Sequence, residues 1–194
     1  MEFLKGKDLT PHTKPGMLLP LSVAMSIIAR VADAPDYAHR QGVVHRDIKP
    51  AKMMYDAQTD SIKVTDFGIA RITDSSKTKT GMVLGTPSYM SPEQLAGNKI
   101  DGASDLFSLG VTFYQLCCGS LPFTGESMAQ LMFRIANERP IEPLRLNPTL
   151  PDSVVAVLHK SLAKTPAERF GNGNEMARAV RACAFEFVAV DVAL

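Results

Sequence analysis

Two short polar stretches hold the residues with the most chemistry in them: His45-Arg46-Asp47-Ile48-Lys49-Pro50 and Asp66-Phe67-Gly68. Each presents a carboxylate, Asp47 or Asp66, and the first sets an ammonium, Lys49, two positions away. Carboxylates of this kind accept protons or bind hard cations, and a neighbouring lysine offsets anionic charge. Plainer roles fit the same residues, with Asp47 capping a turn and Asp66 in an ordinary Asp-Phe-Gly turn. Downstream stand Gly85-Thr86-Pro87, Ser91-Pro92-Glu93 and Asp105-Leu106-Phe107-Ser108-Leu109-Gly110.

The elements that must position these groups are set by a chain of 194 residues, 45% hydrophobic, with 21 Lys+Arg against 20 Asp+Glu. At about 150 residues per domain this predicts one globular domain with a sizeable core. A formal charge of +1 excludes a basic nucleic-acid surface or polybasic membrane tether as a bulk property, so no nucleic-acid partner is expected. Cys117 and Cys118 are adjacent and Cys183 is remote, without pairing or metal-ligand spacing, which fits a reducing compartment. No apolar run approaches the roughly 20 residues that cross a bilayer, and the amino terminus lacks the apolar core of a signal peptide. A cytoplasmic chain without a membrane segment is expected.

Val23, Ile27, Val31, Ala34 and Ala38 recur at helical spacing and predict a helix over 20–41. Pro35 interrupts that stripe, at a cost of about 3 kcal/mol, so a kink, a weakened helix or two shorter helices are expected. Strand-like runs follow at Val43-Val44, Met53–Tyr55 and Ile62–Thr65, with a turn over Asp56–Ser61. Residues 73–88 read as a long exposed loop, and helical patterns recur near 103–118, 126–138, 152–163 and 173–187. The fold class is α+β, predominantly helical, with a small β insert around the polar loops.

In this order and spacing the motifs resemble the large C-terminal lobe of a eukaryotic-type protein kinase, with a bacterial serine/threonine texture in HRDIKP, DFGIAR and GTPSYMSPEQLAG. The resemblance covers essentially the whole chain, 1–194: a hinge remnant at 1–6, the catalytic loop at 43–56 and the activation segment at 66–93. It implies transfer of the ATP γ-phosphate to serine or threonine hydroxyls of proteins. Asp47 would orient the hydroxyl, Lys49 would meet the transferring phosphate and Asp66 would hold Mg2+. Glu2 and Leu4 would face adenine through their backbone and Met54 would floor its pocket. His45 and Phe67 would stack in an internal column, His45 equally fitting a core histidine bonded to backbone. Arg46 would pair with a phosphorylated Thr78 or Thr80, although a solvated Ser/Thr/Lys loop fits those hydroxyls as well. Glu93 and Arg169 would form a buried pair, and Asp105 would tie down the catalytic-loop backbone or simply cap its helix.

Two departures stand out. The position five residues beyond Asp47, where the family places an asparagine for a second magnesium, is Lys52. Two unit charges 4 Å apart interact by about 4 kcal/mol at an effective dielectric of 20, and a divalent ion roughly doubles that repulsion. The glycine-rich loop, strand lysine and partner glutamate of the smaller lobe find no counterpart before residue 45, and Ala103 replaces a common arginine. The expectation is a kinase domain weak or inactive as this chain alone, with a pseudokinase-like module that binds protein substrates or a partner kinase, or a truncated remnant, as the alternatives.

Overall fold

The computed structural model describes residues 6–40, 43–65 and 87–191. A short strand β1 (Lys7–Asp8) precedes helix α1 (Leu21–Arg40), and the hairpin β2 (Met53–Asp56) and β3 (Ser61–Val64) follows. The remainder is helical: α2 (Pro92–Leu95), α3 (Gly102–Cys118), α4 (Met128–Asn137), α5 (Pro143–Leu146), α6 (Asp152–Ser161) and α7 (Gly173–Asp191). The α+β class dominated by helix is therefore observed.

The centre is α3, in which every residue from Ser104 to Tyr114 is buried. A helix wrapped in protein on all sides needs apolar or small residues all round rather than one stripe. Its close crossing with α6 requires Gly110, because a Cβ there would lie 2.6 Å from Ser161 Cβ. Asp101 caps its start by accepting from the Ala103 N–H at 2.9 Å, and Gly119 ends it at φ +69°. Asp105 is thus not the cap of α3.

Helix α1 packs on α3 and α7 through Ala24, Ile27, Ile28, Val31 and Ala32, all buried. It runs unbroken through Pro35, so the expected division into two helices does not occur. Packing along its length outweighs the local cost of the proline. The buried face is also rotated from the expected stripe: Val23 is half-buried and Ala34 is exposed, on the rim of a groove of about 290 Å³ shared with Ile62 and Val64. Two packing partners demand a wider, shifted face than one would.

The sheet has the order β1-β2-β3, antiparallel throughout, with Lys7 opposite Tyr55 and Met53 opposite Val64. Asp56 and Asp60 shape the β2–β3 turn: Asp56 accepts from the Gln58 N–H at 3.0 Å, and Asp60 accepts from Arg30 Nη2 of α1 at 2.9 Å. Leu9, fully buried, donates its N–H to the carbonyls of Pro50 and Met53 at 3.1 and 3.2 Å. This fastens the amino-terminal strand to the polar loop. Val43-Val44, expected as a strand, is irregular. The amides that follow it are taken by a side chain of α3 instead of a ladder.

Candidate active site

That side chain is Asp105, fully buried in the first turn of α3. Its Oδ2 accepts from the His45 N–H at 2.8 Å and from His39 Nε2 of α1 at 2.8 Å. Its Oδ1 accepts from the Arg46 N–H at 2.8 Å. A buried carboxylate is tolerable only when its oxygens are met by donors in this way. His39 in turn presses on the start of α3, where a Cβ at Gly102 would lie 2.6 Å from His39 Nδ1.

His45, 6% exposed, continues the arrangement. Its Nε2 lies 3.0 Å from the Thr65 carbonyl and its Nδ1 lies 3.3 Å from the Asp47 N. The amide can only donate, so Nδ1 accepts and Nε2 carries the hydrogen donated to Thr65. The loop thereby joins β3 and α3 while its tip projects outward. There Lys49 Nζ meets Asp47 Oδ1 at 2.8 Å, with the Asp47 side chain 54% exposed and that of Lys49 22% exposed. A carboxylate in water beside an ammonium can receive a hydroxyl on one oxygen and an anionic group on the lysine.

Lys52 ends the 3-10 turn Pro50–Lys52, and its carbonyl accepts from the Thr65 N–H at 2.9 Å. The residue next in sequence to Thr65 is Asp66. Met54 is half-buried at the middle of β2, opposite Asp8 and Lys63. Glu2, Leu4, Asp66, Phe67, Thr78 and Thr80 lie outside the described residues.

Behind the tip, α2 and the segment after α6 meet in a second buried cluster. Arg169 donates from Nη1 and Nη2 to the two carboxylate oxygens of Glu93 at 2.7 and 2.8 Å. Its remaining hydrogens go to the carbonyls of Ala163 at 2.8 Å, Ala103 at 3.0 Å and Lys164 at 3.0 Å. All five guanidinium donors are thus used, and the group lies 4.9 Å from the centre of the Phe107 ring. Burial alone would raise the Glu93 carboxyl, but hydrogen bonds from Arg169 and Ser104 outweigh it and bring its pKa down to about 2.

Sequence reasoning missed His39 and Lys164. Lys164 Nζ donates to the Ile135 carbonyl at 2.6 Å, closing the end of α4, and lies 3.9 Å above the Phe123 ring. Burial, with Arg169 close by, lowers its pKa to about 8. No local pattern marks either residue, since each acts on an element far away in the chain.

Of the two positions expected to meet a divalent ion, Asp66 lies outside the described residues and the other carries Lys52. Among the described residues no cluster of three or more His, Cys, Asp or Glu could hold a metal. The residue offered five positions after Asp47 is an ammonium, which donates hydrogens and cannot ligate a cation.

Comparison with known proteins agrees with the architecture. Residues 1–183 match the protein kinase domain family. A serine/threonine-protein kinase of Corynebacterium efficiens is 41% identical over 187 residues, covering 94% of this chain and 34% of that protein. PknB of Mycobacterium tuberculosis is 41% identical over 181 residues, covering 91% of this chain and 28% of PknB. The chain therefore spans about a third of the length of these curated relatives. The crystal structure of the Mycobacterium tuberculosis PknI kinase domain superposes with a TM-score of 0.73 at 31% identity, over 94% of this chain and 64% of that one. Proteins of this family use ATP and Mg2+ and act on protein substrates. No helix among the described residues is long and apolar enough to cross a membrane. With a buried aspartate clamping an HRD loop, a Glu–Arg anchor behind it and this match along nearly its whole length, the chain belongs to the protein kinase domain family, in its bacterial serine/threonine branch.

Proposed function

We propose that residues 1–194 form the large lobe of a protein serine/threonine kinase domain, with the hinge at 1–6, the catalytic loop at 43–56 and the activation segment at 66–93. The observation that carries this reading is the exposed Asp47–Lys49 pair on a loop whose backbone is held by buried Asp105. Asp47 orients the hydroxyl of a protein serine or threonine and takes its proton. Lys49 neutralises the phosphoryl group on its way from ATP. Glu2, Leu4 and Met54 are assigned to adenine, Asp66 to the metal, and Thr78 and Thr80 to phosphorylation that Arg46 would recognise. The setting is cytoplasmic.

Lys52 weakens this activity, because an ammonium occupies a ligand position for a divalent ion. In a radiolabelled ATP assay, the protein is expected to give little magnesium-dependent transfer, the Lys52→Asn variant more, and Asp47→Asn none in either background. Transfer by the unaltered chain comparable to that of a complete kinase domain overturns the assignment of Lys52 as a defect. Undiminished transfer by Lys52→Asn after Asp47→Asn overturns the role of Asp47.

Lys52 also favours a second reading, a protein-binding module that engages a substrate or partner kinase without catalysis. Exposed Phe133 and Met128 on α4, 59% and 51% accessible, offer a surface for it. Specific capture of a partner that survives Asp47→Asn is its expected signature.

A further inference from the structure

Arg46 sits between two successive peptides, and both are gripped. The peptide before it donates its N–H to Asp105 Oδ1 at 2.8 Å. The peptide after it, which leads into Asp47, accepts from Gln94 Nε2 at 3.2 Å through the Arg46 carbonyl. Between them the backbone is held at φ +67°, the left-handed region that residues other than glycine rarely adopt. Strain of this kind persists only where the surroundings over-determine it. On the peptide leading into Asp47, the Asp47 N–H donates to His45 Nδ1 at 3.3 Å, so its two ends are held by different side chains and Gln94 is the one that holds the carbonyl.

Gln94 is placed for the second grip by a capping box at the start of α2. Its Oε1 accepts from the Ser91 N–H at 2.9 Å, while Ser91 Oγ accepts from the Gln94 N–H at 3.3 Å. A capping box needs only an acceptor at this position, and glutamate serves it equally. Glutamine adds a donor that the box does not require, and that donor is the one on the Arg46 carbonyl. Its neighbour Glu93 belongs to the buried cluster with Arg169, so the grip is backed by a rigid support.

We infer that Gln94 is a positioning residue: its side-chain N–H sets the plane of the Arg46–Asp47 peptide and so the direction in which Asp47 projects. The functional meaning rests on Asp47 as the hydroxyl-orienting carboxylate; the backbone effect does not.

The test compares Gln94→Glu, Gln94→Met and Ser91→Ala in isotope-labelled protein by NMR and thermal melting. Gln94→Glu keeps the acceptor and loses the donor. It is expected to melt within about 2 °C of the unaltered protein, while the Arg46 carbonyl carbon moves upfield and the Asp47 amide exchanges about tenfold faster, the factor carried by one ordinary hydrogen bond. Gln94→Met is expected to lose both stability and the carbonyl signature, so glutamate rescues the first and not the second. Ser91→Ala is expected to melt lower with the Arg46 carbon unmoved. An Arg46 carbon and Asp47 exchange rate unchanged in Gln94→Glu, or moved as far by Ser91→Ala, overturns the inference. Undiminished transfer after Asp47→Asn in the Lys52→Asn background would instead remove the catalytic reading, with the NMR comparison still deciding the role of Gln94.

Discussion

Asp105 and Asp47 lie at opposite ends of one mechanical unit and are treated in opposite ways. Asp105 is fully buried and accepts from His39, His45 and Arg46. Asp47 is half in water, with Lys49 as its side-chain partner at 2.8 Å. The first carboxylate is immobile and its charge is consumed by structure. The second keeps accessible oxygens, as the hydroxyl-orienting role proposed for it requires. The Glu93–Arg169 cluster belongs with Asp105: it holds the support on which the exposed tip is mounted. Buried hydrogen bonds are concentrated behind the loop, and the groups proposed for chemistry are left at its surface.

The comparison is sharpest where the support is cut. Arg169→Met keeps an apolar stem but strands Glu93, and a loss of about 3 to 5 kcal/mol in urea unfolding is expected. A loss below about 1 kcal/mol would break the contrast. Asp105→Ala leaves the buried amide of His45 and its neighbour at Arg46 without their acceptor, so about 2 to 3 kcal/mol should be lost, with faster amide exchange at both residues.

Acid probes the same support without a mutation. The Glu93 pKa is lowered from 4.5 to about 2 in the folded state, so its contribution is complete above about pH 4.5 and is lost as the pH falls toward 2. Urea midpoints of the unaltered protein should fall steeply across that window, and those of Arg169→Met less so. Lys164 works with the opposite sign. Its folded-state pKa of about 8 lies below the ordinary 10.5, so the unfolded chain binds more protons between these values and stability gains with rising pH there. The difference in melting temperature between the unaltered protein and Lys164→Met should therefore grow from pH 8 upward. The smallest effect belongs to the tip: Asp47→Asn should change stability by less than about 0.5 kcal/mol, because an exposed ion pair contributes little.

Much of the fold could be read along the chain. Helical periodicity located α1, α3, α4, α6 and α7, because each is long enough for its pattern to dominate. Short elements were harder. Strand β1 has only two residues and exists because Tyr55 and Met54 lie opposite it. Val43-Val44 has β-branched residues but no strand, since pairing depends on what lies alongside. The rotated face of α1 and its passage through Pro35 follow from packing on α3 and α7 together.

What the sequence determined by itself was the identity and order of the chemical groups: the HRD loop, the Ser-Pro-Glu segment, the aspartate opening α3, and the lysine at position 52. The first three are short motifs whose residue types and order are legible in a linear reading, and Lys52 is legible as a departure from the same pattern. Tertiary structure alone decided which donors meet which acceptors. His39 and Asp105 are 66 residues apart, and Gln94 and Arg46 are 48 apart. Hydrogen bonding and burial act through space over a few ångströms, and only the packing of α1, α2 and α3 around one loop brings those groups within reach.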